Sequence, residues 1–234
     1  NTGTHLFLTG KAGTGKTTFL KRLKEVSPKR MIVVAPTGVA AINAGGVTIH
    51  SFFQLPFGPY IPSVGAAGNQ SNNYSNKFSR DKINIIRSLD LLVIDEVSMV
   101  RADLLDAISD VLCRYKDRTK PFGGVQLLLI GDLQQLAPVA KDEDWNLLKD
   151  HYASTFFFDS KALSESTYFS IELTHVYRQS DSVFINLLNN IRENCFDDET
   201  LQQLNRRYIP DFNPDDKQGY ITLTTHNYQA QQIN

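Results

Sequence analysis

Gly10-Lys-Ala-Gly-Thr-Gly-Lys16-Thr17 is the stretch whose reading decides the fold. It fits the spacing GxxxxGK[ST], follows the apolar run HLFLT (His5 to Thr9) and opens an amphipathic pattern from Lys16 to Glu25. Glycines at these positions let backbone N–H groups turn inward around anionic oxygens, and the N-terminus of the following helix adds its dipole. The bare pattern arises by chance in about one chain in a hundred of this length, so a ligand-free glycine turn is the weaker explanation. The predicted site holds the phosphates of ATP against Gly10, Gly13, Thr14, Gly15, Lys16, Thr17 and Thr18. Lys16 reaches the terminal phosphates, and the Thr17 hydroxyl ligates Mg²⁺.

Working outward, apolar β-branched runs alternate with helical patterns. Strands are predicted at His5 to Thr9, Met31 to Ala35, Leu91 to Asp95, Gln126 to Gly131, Thr155 to Phe158 and Tyr168 to Leu173. Helices are predicted at Lys16 to Glu25, Val39 to Ala44, Ala102 to Tyr115, Ser182 to Arg192 and Asp198 to Arg207. LLVID and VQLLLIG are apolar on both faces, as parallel strands covered by helices on each side must be. The expected fold is α/β: a P-loop NTPase with a mostly parallel sheet flanked by helices on both faces.

Two further strand ends carry chemistry. Leu91-Leu-Val-Ile-Asp95-Glu96 is an apolar strand ending in two acids, the place where a P-loop protein keeps its metal ligand. Asp95 is assigned to Mg²⁺, and Glu96 to accepting a proton from the attacking water. Gly131-Asp-Leu-Gln-Gln135 ends a third strand, where the Gln135 amide can hydrogen-bond γ-phosphate or water. Ligands in such sheets bind at the carboxyl ends of the strands, which is where these tips converge.

Bulk properties bound the rest. A composition of 41% hydrophobic and 21% charged residues fits a soluble globular protein, and no apolar run approaches the roughly 20 residues of a membrane span. A soluble, intracellular, monomeric protein without membrane contact is expected. Cys113 and Cys195 lack CxxC spacing and read as packing residues of a reducing compartment, and the five histidines show no zinc-ligand spacing. A net charge of −1 argues against a broad basic footprint for duplex DNA, so any nucleic-acid site must be local. From Leu55 to Arg80 the chain is rich in Pro, Gly, Asn and Ser without period, a long loop expected to be mobile. Pro210 to Gly219 is a second irregular stretch, before a strand-and-helix pattern at Tyr220 to Asn234. The domains expected are therefore 1–209, with the loop at about 55–80, and 210–234 as a linker and the cut-short start of a second domain.

Taken in order, AGTGKTT, APTGVAAINAGGVTIHSFF (Ala35 to Phe53), VIDEVSMV (Val93 to Val100), GDLQQLAPV (Gly131 to Val139) and LTHVYRQSD (Leu173 to Asp181) resemble motifs I, Ia, II, III and IV of the Pif family of superfamily-one DNA helicases. GVAAINAGGVTIHSFF is the most specific piece, and Ala102 to Tyr115 falls where the family carries its signature helix. The resemblance implies a first RecA-like motor domain of an ATP-dependent helicase of 5′ to 3′ polarity, acting on single-stranded and duplex DNA in genome maintenance (repair, recombination, telomere upkeep). It implies that Lys16, Glu96, Gln135 and Arg178 serve catalysis, Arg178 as the arginine reaching γ-phosphate. Thr37, Gly38, Thr48, His50 and Ser51 would carry single-stranded DNA through small side chains, hydroxyls and backbone N–H groups, while Phe53 is assigned to the core. The family's adenine-recognising glutamine motif would precede Asn1, and motifs V and VI of a second RecA-like domain would follow Asn234. The chain is therefore expected to be a truncated piece that binds nucleotide weakly and does not unwind alone. A different class of function stays open beside this one: a P-loop switch that reads nucleotide state to control a protein partner.

Overall fold

The computed structural model describes residues 3–61, 78–195, 197–213 and 219–233. The chain divides into two compact units, Asn1–Ser180 and Asp181–Asn234. That division lies earlier than the boundary near 209 expected from sequence.

The first unit is built on six strands: β1 (His5–Gly10), β2 (Met31–Ala35), β3 (Val47–Thr48), β4 (Leu91–Ile94), β5 (Gln126–Gly131) and β6 (Tyr168–Leu173). They form one sheet in the order β3-β2-β4-β5-β1-β6 with every neighbouring pair parallel. Parallel neighbours need long crossovers, supplied by α1 (Lys16–Val26), α2 (Gly38–Ala44), α3 (Ile49–Phe53), α4 (Arg80–Ser88), α5 (Ala102–Tyr115), α6 (Asp142–Leu148) and α7 (Lys161–Ser164). Alternation along the strands sorts the core into two layers. Leu92, Ile94, Leu127 and Leu129 join Phe53, Ile86, Leu105, Ile108 and Leu112 from α3, α4 and α5. Leu91, Val93, Leu128 and Ile130 join Leu20 and Ala44 from α1 and α2. All four residues of β4 are buried, as a strand covered on both faces requires. The α/β fold read from the sequence is the one observed.

The second unit contains α8 (Ser182–Arg192), α9 (Asp198–Asn205) and α10 (Asn227–Ile233). Asp181 caps α8 by accepting from the Val183 and Phe184 amides, and Asn190 donates to the Thr200 hydroxyl at 3.0 Å, joining α8 to α9.

Several expectations are corrected. Thr155 to Phe158 is not a strand: Phe156 makes one isolated bridge to Arg101, and Phe157–Asp159 is a single 3-10 turn. One ring decides this, since Phe157 is buried in a T-shaped contact with Phe7, centroids 5.3 Å apart, a demand a turn meets without a sheet partner. Tyr220 to Thr225 forms no strand, and Tyr220, Ile221 and Leu223 are exposed. α4 emerges where the loop was expected to end, capped by Ser79 accepting from the Lys82 amide at 3.3 Å, and residues 62–77 of that loop lie outside the described residues. Cys113 is half-buried and donates to the Lys120 carbonyl at 3.2 Å, whereas Cys195, in the turn after α8, is exposed and packs nothing away from water. Among the described residues no helix is long and apolar enough to cross a membrane.

Candidate active site

The loop between β1 and α1 is shaped by its glycines. Gly10, Gly13 and Gly15 have φ of +150°, +82° and +95°, values that L side chains rarely adopt. A Cβ on Gly10 would lie 2.6 Å from the Leu173 carbonyl oxygen, and one on Gly13 would lie 2.8 Å from the Cβ of Arg178. Gly15 takes the N-cap position of α1, where no side chain caps the helix and the first turn carries no acid. Those first-turn amides are thereby left for an anion. Lys16 Nζ donates to the carbonyls of Gly10 and Lys11, bridging the loop from inside.

An open hollow of about 300 Å³ lies over this loop. Gly13, Gly15, Lys16, Thr17 and Thr18 form its floor, Glu96 enters from the end of β4, Gln135 from beyond β5, and Tyr177 and Arg178 from beyond β6. The structure thus brings Lys16, Glu96, Gln135 and Arg178 to one cavity from four places in the sequence. Gly10, Thr14 and Asp95 are not on its wall. Thr14 is buried, with its hydroxyl donating to the Lys11 carbonyl at 2.9 Å, so its side chain shapes the loop and only its backbone remains for a ligand.

Asp95 is 8% exposed, and its Oδ1 accepts from the Glu96 amide at 3.1 Å. Burial raises its pKa against the opposing pull of that hydrogen bond and of the Lys16 charge. Glu96 is also pushed up, by burial first and by the neighbouring Asp95 charge second. Its backbone is left-handed, φ +52°, a strained conformation for a non-glycine residue of the kind that clusters at functional sites. Beyond β5, Asp132 is 1% exposed. It accepts from the Gln134 amide at 3.2 Å and from Gln135 Nε2 at 3.0 Å, which fixes the direction of the Gln135 side chain. Gly131 makes this close assembly feasible, since a Cβ there would meet the Val97 and Ser98 backbone nitrogens at 3.1 Å.

The residues assigned to DNA lie together at the ends of β2 and β3, which pair Ala35 with Thr48. Thr37 and Thr48 are N-caps, their hydroxyl oxygens accepting from the Ala40 amide at 3.2 Å and the Ser51 amide at 3.3 Å. Each hydroxyl still has its own proton to donate. Gly38 and Ser51 are exposed and His50 is half-buried. The His50 pKa is lowered, chiefly by burial and then by the Arg101 charge, against an opposing effect of Asp103. Phe53 is in the core, 1% exposed.

Sequence reading missed Tyr177, although it adjoins Arg178. Its amide donates to the Gly13 carbonyl at 2.8 Å, and the residue is 75% exposed at the rim of the hollow. It also missed Asp132, whose place inside GDLQQ was the available signal.

A family model described as PIF1-like helicase matches residues 1–202. The chain is 37% identical over 218 residues to the ATP-dependent DNA helicase PIF1 of Candida albicans, an alignment covering 89% of this chain and 23% of that protein. It is 38% identical over 205 residues to the human protein of the same name, covering 86% of this chain and 29% of the relative. Among solved structures, the Pif1 helicase from Bacteroides in complex with ADP-AlF3 and ssDNA is similar with a TM-score of 0.90 at 42% identity, covering 100% of this chain and 52% of that one. The chain spans about a quarter of the length of these curated relatives and about half of that solved chain.

Proposed function

Because the chain belongs to the PIF1-like helicase family, we propose that it is the ATP-binding motor portion of an ATP-dependent DNA helicase, working with Mg²⁺ and single-stranded DNA. The observation that carries the reading is the convergence of Lys16, Glu96, Gln135 and Arg178 on one hollow above an uncapped helix N-terminus.

ATP would sit with its phosphates against the first turn of α1, with Lys16 exchanging the Gly10 and Lys11 carbonyls for phosphate oxygens. Thr17 and Asp95 fit Mg²⁺. A hydroxyl and a carboxylate are hard oxygen donors, and this ion needs only one or two such groups besides phosphate oxygens. A site of that kind suits a protein in which no cluster of three or more His, Cys, Asp or Glu is present among the described residues. The ion, when bound, neutralises phosphate charge. Glu96 takes the proton of the attacking water, Gln135 hydrogen-bonds that water or the γ-phosphate, and Arg178 sets a fixed planar cation against the charge developing there. Tyr177 offers a flat ring at the rim for the base. DNA is carried across Thr37, Gly38, Thr48, His50 and Ser51. A second RecA-like domain completes the cleft, movement is 5′ to 3′, and the protein acts as a monomer in genome maintenance inside the cell.

The decisive measurement is ATP hydrolysis by the full-length protein with and without single-stranded DNA. The rate should rise with DNA and vanish in Lys16→Ala. Glu96→Gln should keep nucleotide binding while hydrolysis falls about 10²- to 10⁴-fold. A rate indifferent to DNA would sink the helicase reading and favour a P-loop switch acting on a protein partner. Robust unwinding by residues 1–234 alone would contradict the need for a second domain. The proposed division at 209, with 210–234 as linker and start of that domain, predicts proteolytic nicking confined to 210–219; nicking next to Ser180 instead would move the boundary there.

A further inference from the structure

Beyond α3 the chain is fastened to the start of α5. Arg101 Nη2 donates to the Gly58 carbonyl at 2.9 Å, the Tyr60 amide donates to Asp103 Oδ2 at 2.8 Å, and the Tyr60 hydroxyl donates to Asp110. Arg101 and Asp103 grip each other through two charge-assisted bonds of 2.8 and 2.7 Å, with side chains 15% and 1% exposed. Removing a charged pair from water is costly, and here the pair holds a segment of little bulk. What that segment presents is Phe57, 89% exposed. Its ring stacks on the His50 imidazole with centroids 4.8 Å apart and planes 23° from parallel.

This position is unusual for phenylalanine, whose ring normally gains by burial. One face of the ring is supported by His50, and the side chain otherwise meets solvent. Its support, His50, lies between Thr48 and Ser51, two of the residues assigned to a single strand of DNA. Hydroxyls and amides there suit phosphates, while an adjoining open ring suits the flat face of a base, and stacking of that kind tolerates any sequence.

We propose that Phe57, backed by His50 and held by the Arg101–Asp103 pair, is a stacking platform for a nucleobase of single-stranded DNA. The assignment rests on the DNA reading given above and adds to it a residue outside the motifs that suggested DNA. Arg101 follows Glu96 on the same short connection after β4, so the hydrolytic carboxylate and the anchor of the platform share one segment.

The test uses the 234-residue chain and fluorescein-labelled oligothymidylate at low salt. Phe57→Ala should weaken binding about five- to 150-fold, the range of one base–aromatic stack. Phe57→Trp should retain affinity, and its indole emission should be quenched on binding, with the wild-type protein and its single Trp145 as background. An oligonucleotide of abasic sites should bind wild type and Phe57→Ala alike. Irradiation with an oligonucleotide carrying 5-iododeoxyuridine should crosslink Phe57, located by peptide mass spectrometry. Salt-sensitive binding that Phe57→Ala leaves unchanged, with no crosslink at Phe57, overturns the platform and leaves the DNA reading standing. Equal weakening of Phe57→Ala on abasic and thymidine strands also overturns it. So does a Phe57-dependent dimer in ultracentrifugation without any effect on DNA. No binding by wild type at low salt overturns both readings.

Discussion

The amide of Tyr177 donates to the carbonyl of Gly13 at 2.8 Å, pinning the segment after β6 to the phosphate loop one residue before Arg178. The arginine is thus positioned through the backbone: its Cβ lies where a Gly13 Cβ would come within 2.8 Å. Gly13→Ala should displace Arg178 and strain a φ of +82°, costing about 1–2 kcal/mol of stability together with nucleotide affinity. Gly38→Ala is the control, because nothing lies within 4 Å of its Cβ position and its φ is ordinary; thermal stability there should hold or rise slightly. Melting curves and nucleotide titrations on both variants check the contrast, and equal behaviour would refute it.

Gln135 is aimed by Asp132, whose carboxylate accepts from the Gln135 amide group. In Asp132→Asn, an amide that donates can face the Gln134 and Gln135 donors, so the Gln135 side chain should lose its direction. The expected result is a fall in kcat of about 10- to 100-fold with little change in KM, the pattern of an interaction made in the transition state. A rise in KM at constant kcat would assign Asp132 to substrate binding instead.

Arg30 and Asp90 form a two-point pair at 2.9 Å for each contact, and the Arg30 amide adds a third bond at 3.1 Å. The Arg30 guanidinium and amide hold the Asp90 carboxyl down at about 2. A depressed carboxylate pKa contributes stability above the unfolded value, which is lost as pH falls through the folded one. The gap in melting temperature between wild type and Asp90→Asn should therefore be present above about pH 4 and close toward about pH 2. Because the side chains are 67% and 37% exposed, the effect should stay below about 1 kcal/mol. A gap independent of pH would rule the pair out as its source.

Asp106 collects four donors inside the α5 side of the first unit: Tyr152 OH at 2.8 Å, Ser160 Oγ at 2.5 Å, and the Lys161 and Ala162 amides at 3.1 and 3.0 Å. Tyr152→Phe removes one of four and should cost about 1 kcal/mol in urea denaturation. Asp106→Ala orphans all four and should cost about 3 kcal/mol or more. ATP hydrolysis per folded molecule should be unchanged in Tyr152→Phe, since none of these groups lines the hollow.

Ser98 Oγ, two residues beyond Glu96, is the one buried side-chain polar atom without a hydrogen-bond partner found among the described residues. A hydroxyl in that state contributes nothing to hold the fold, so Ser98→Ala should be neutral or stabilising. A loss of more than about 1 kcal/mol would mean that the hydroxyl is satisfied in solution.

The glycine loop between β1 and α1 was legible because its requirements are local. Backbone reversal, helix start and lysine all fall within eight consecutive residues, Gly10–Thr17. Parallel strands were legible for a similar reason, since burial on both faces leaves an apolar run such as Leu91–Ile94 with no polar alternation. The same signal misled at Thr155 to Phe158, where apolar character came from one buried ring in a turn. α4 went unread because its nine residues, Arg80–Ser88, follow a polar tract and keep only a narrow apolar stripe.

What the sequence determined by itself was therefore the contiguous chemistry: a glycine loop, two acids at a strand end, and the order of the motifs. Tertiary structure alone decided which groups face one another. It put Arg178 against Gly13 and, by way of Arg101, fastened to α5 the segment that sets Phe57 on His50. The physical reason is that a spacing records what neighbours along the chain can do, while these contacts depend on sheet order. The sequence β3-β2-β4-β5-β1-β6 seats β1 between β5 and β6, and so brings residues more than a hundred positions apart to the rim of one hollow.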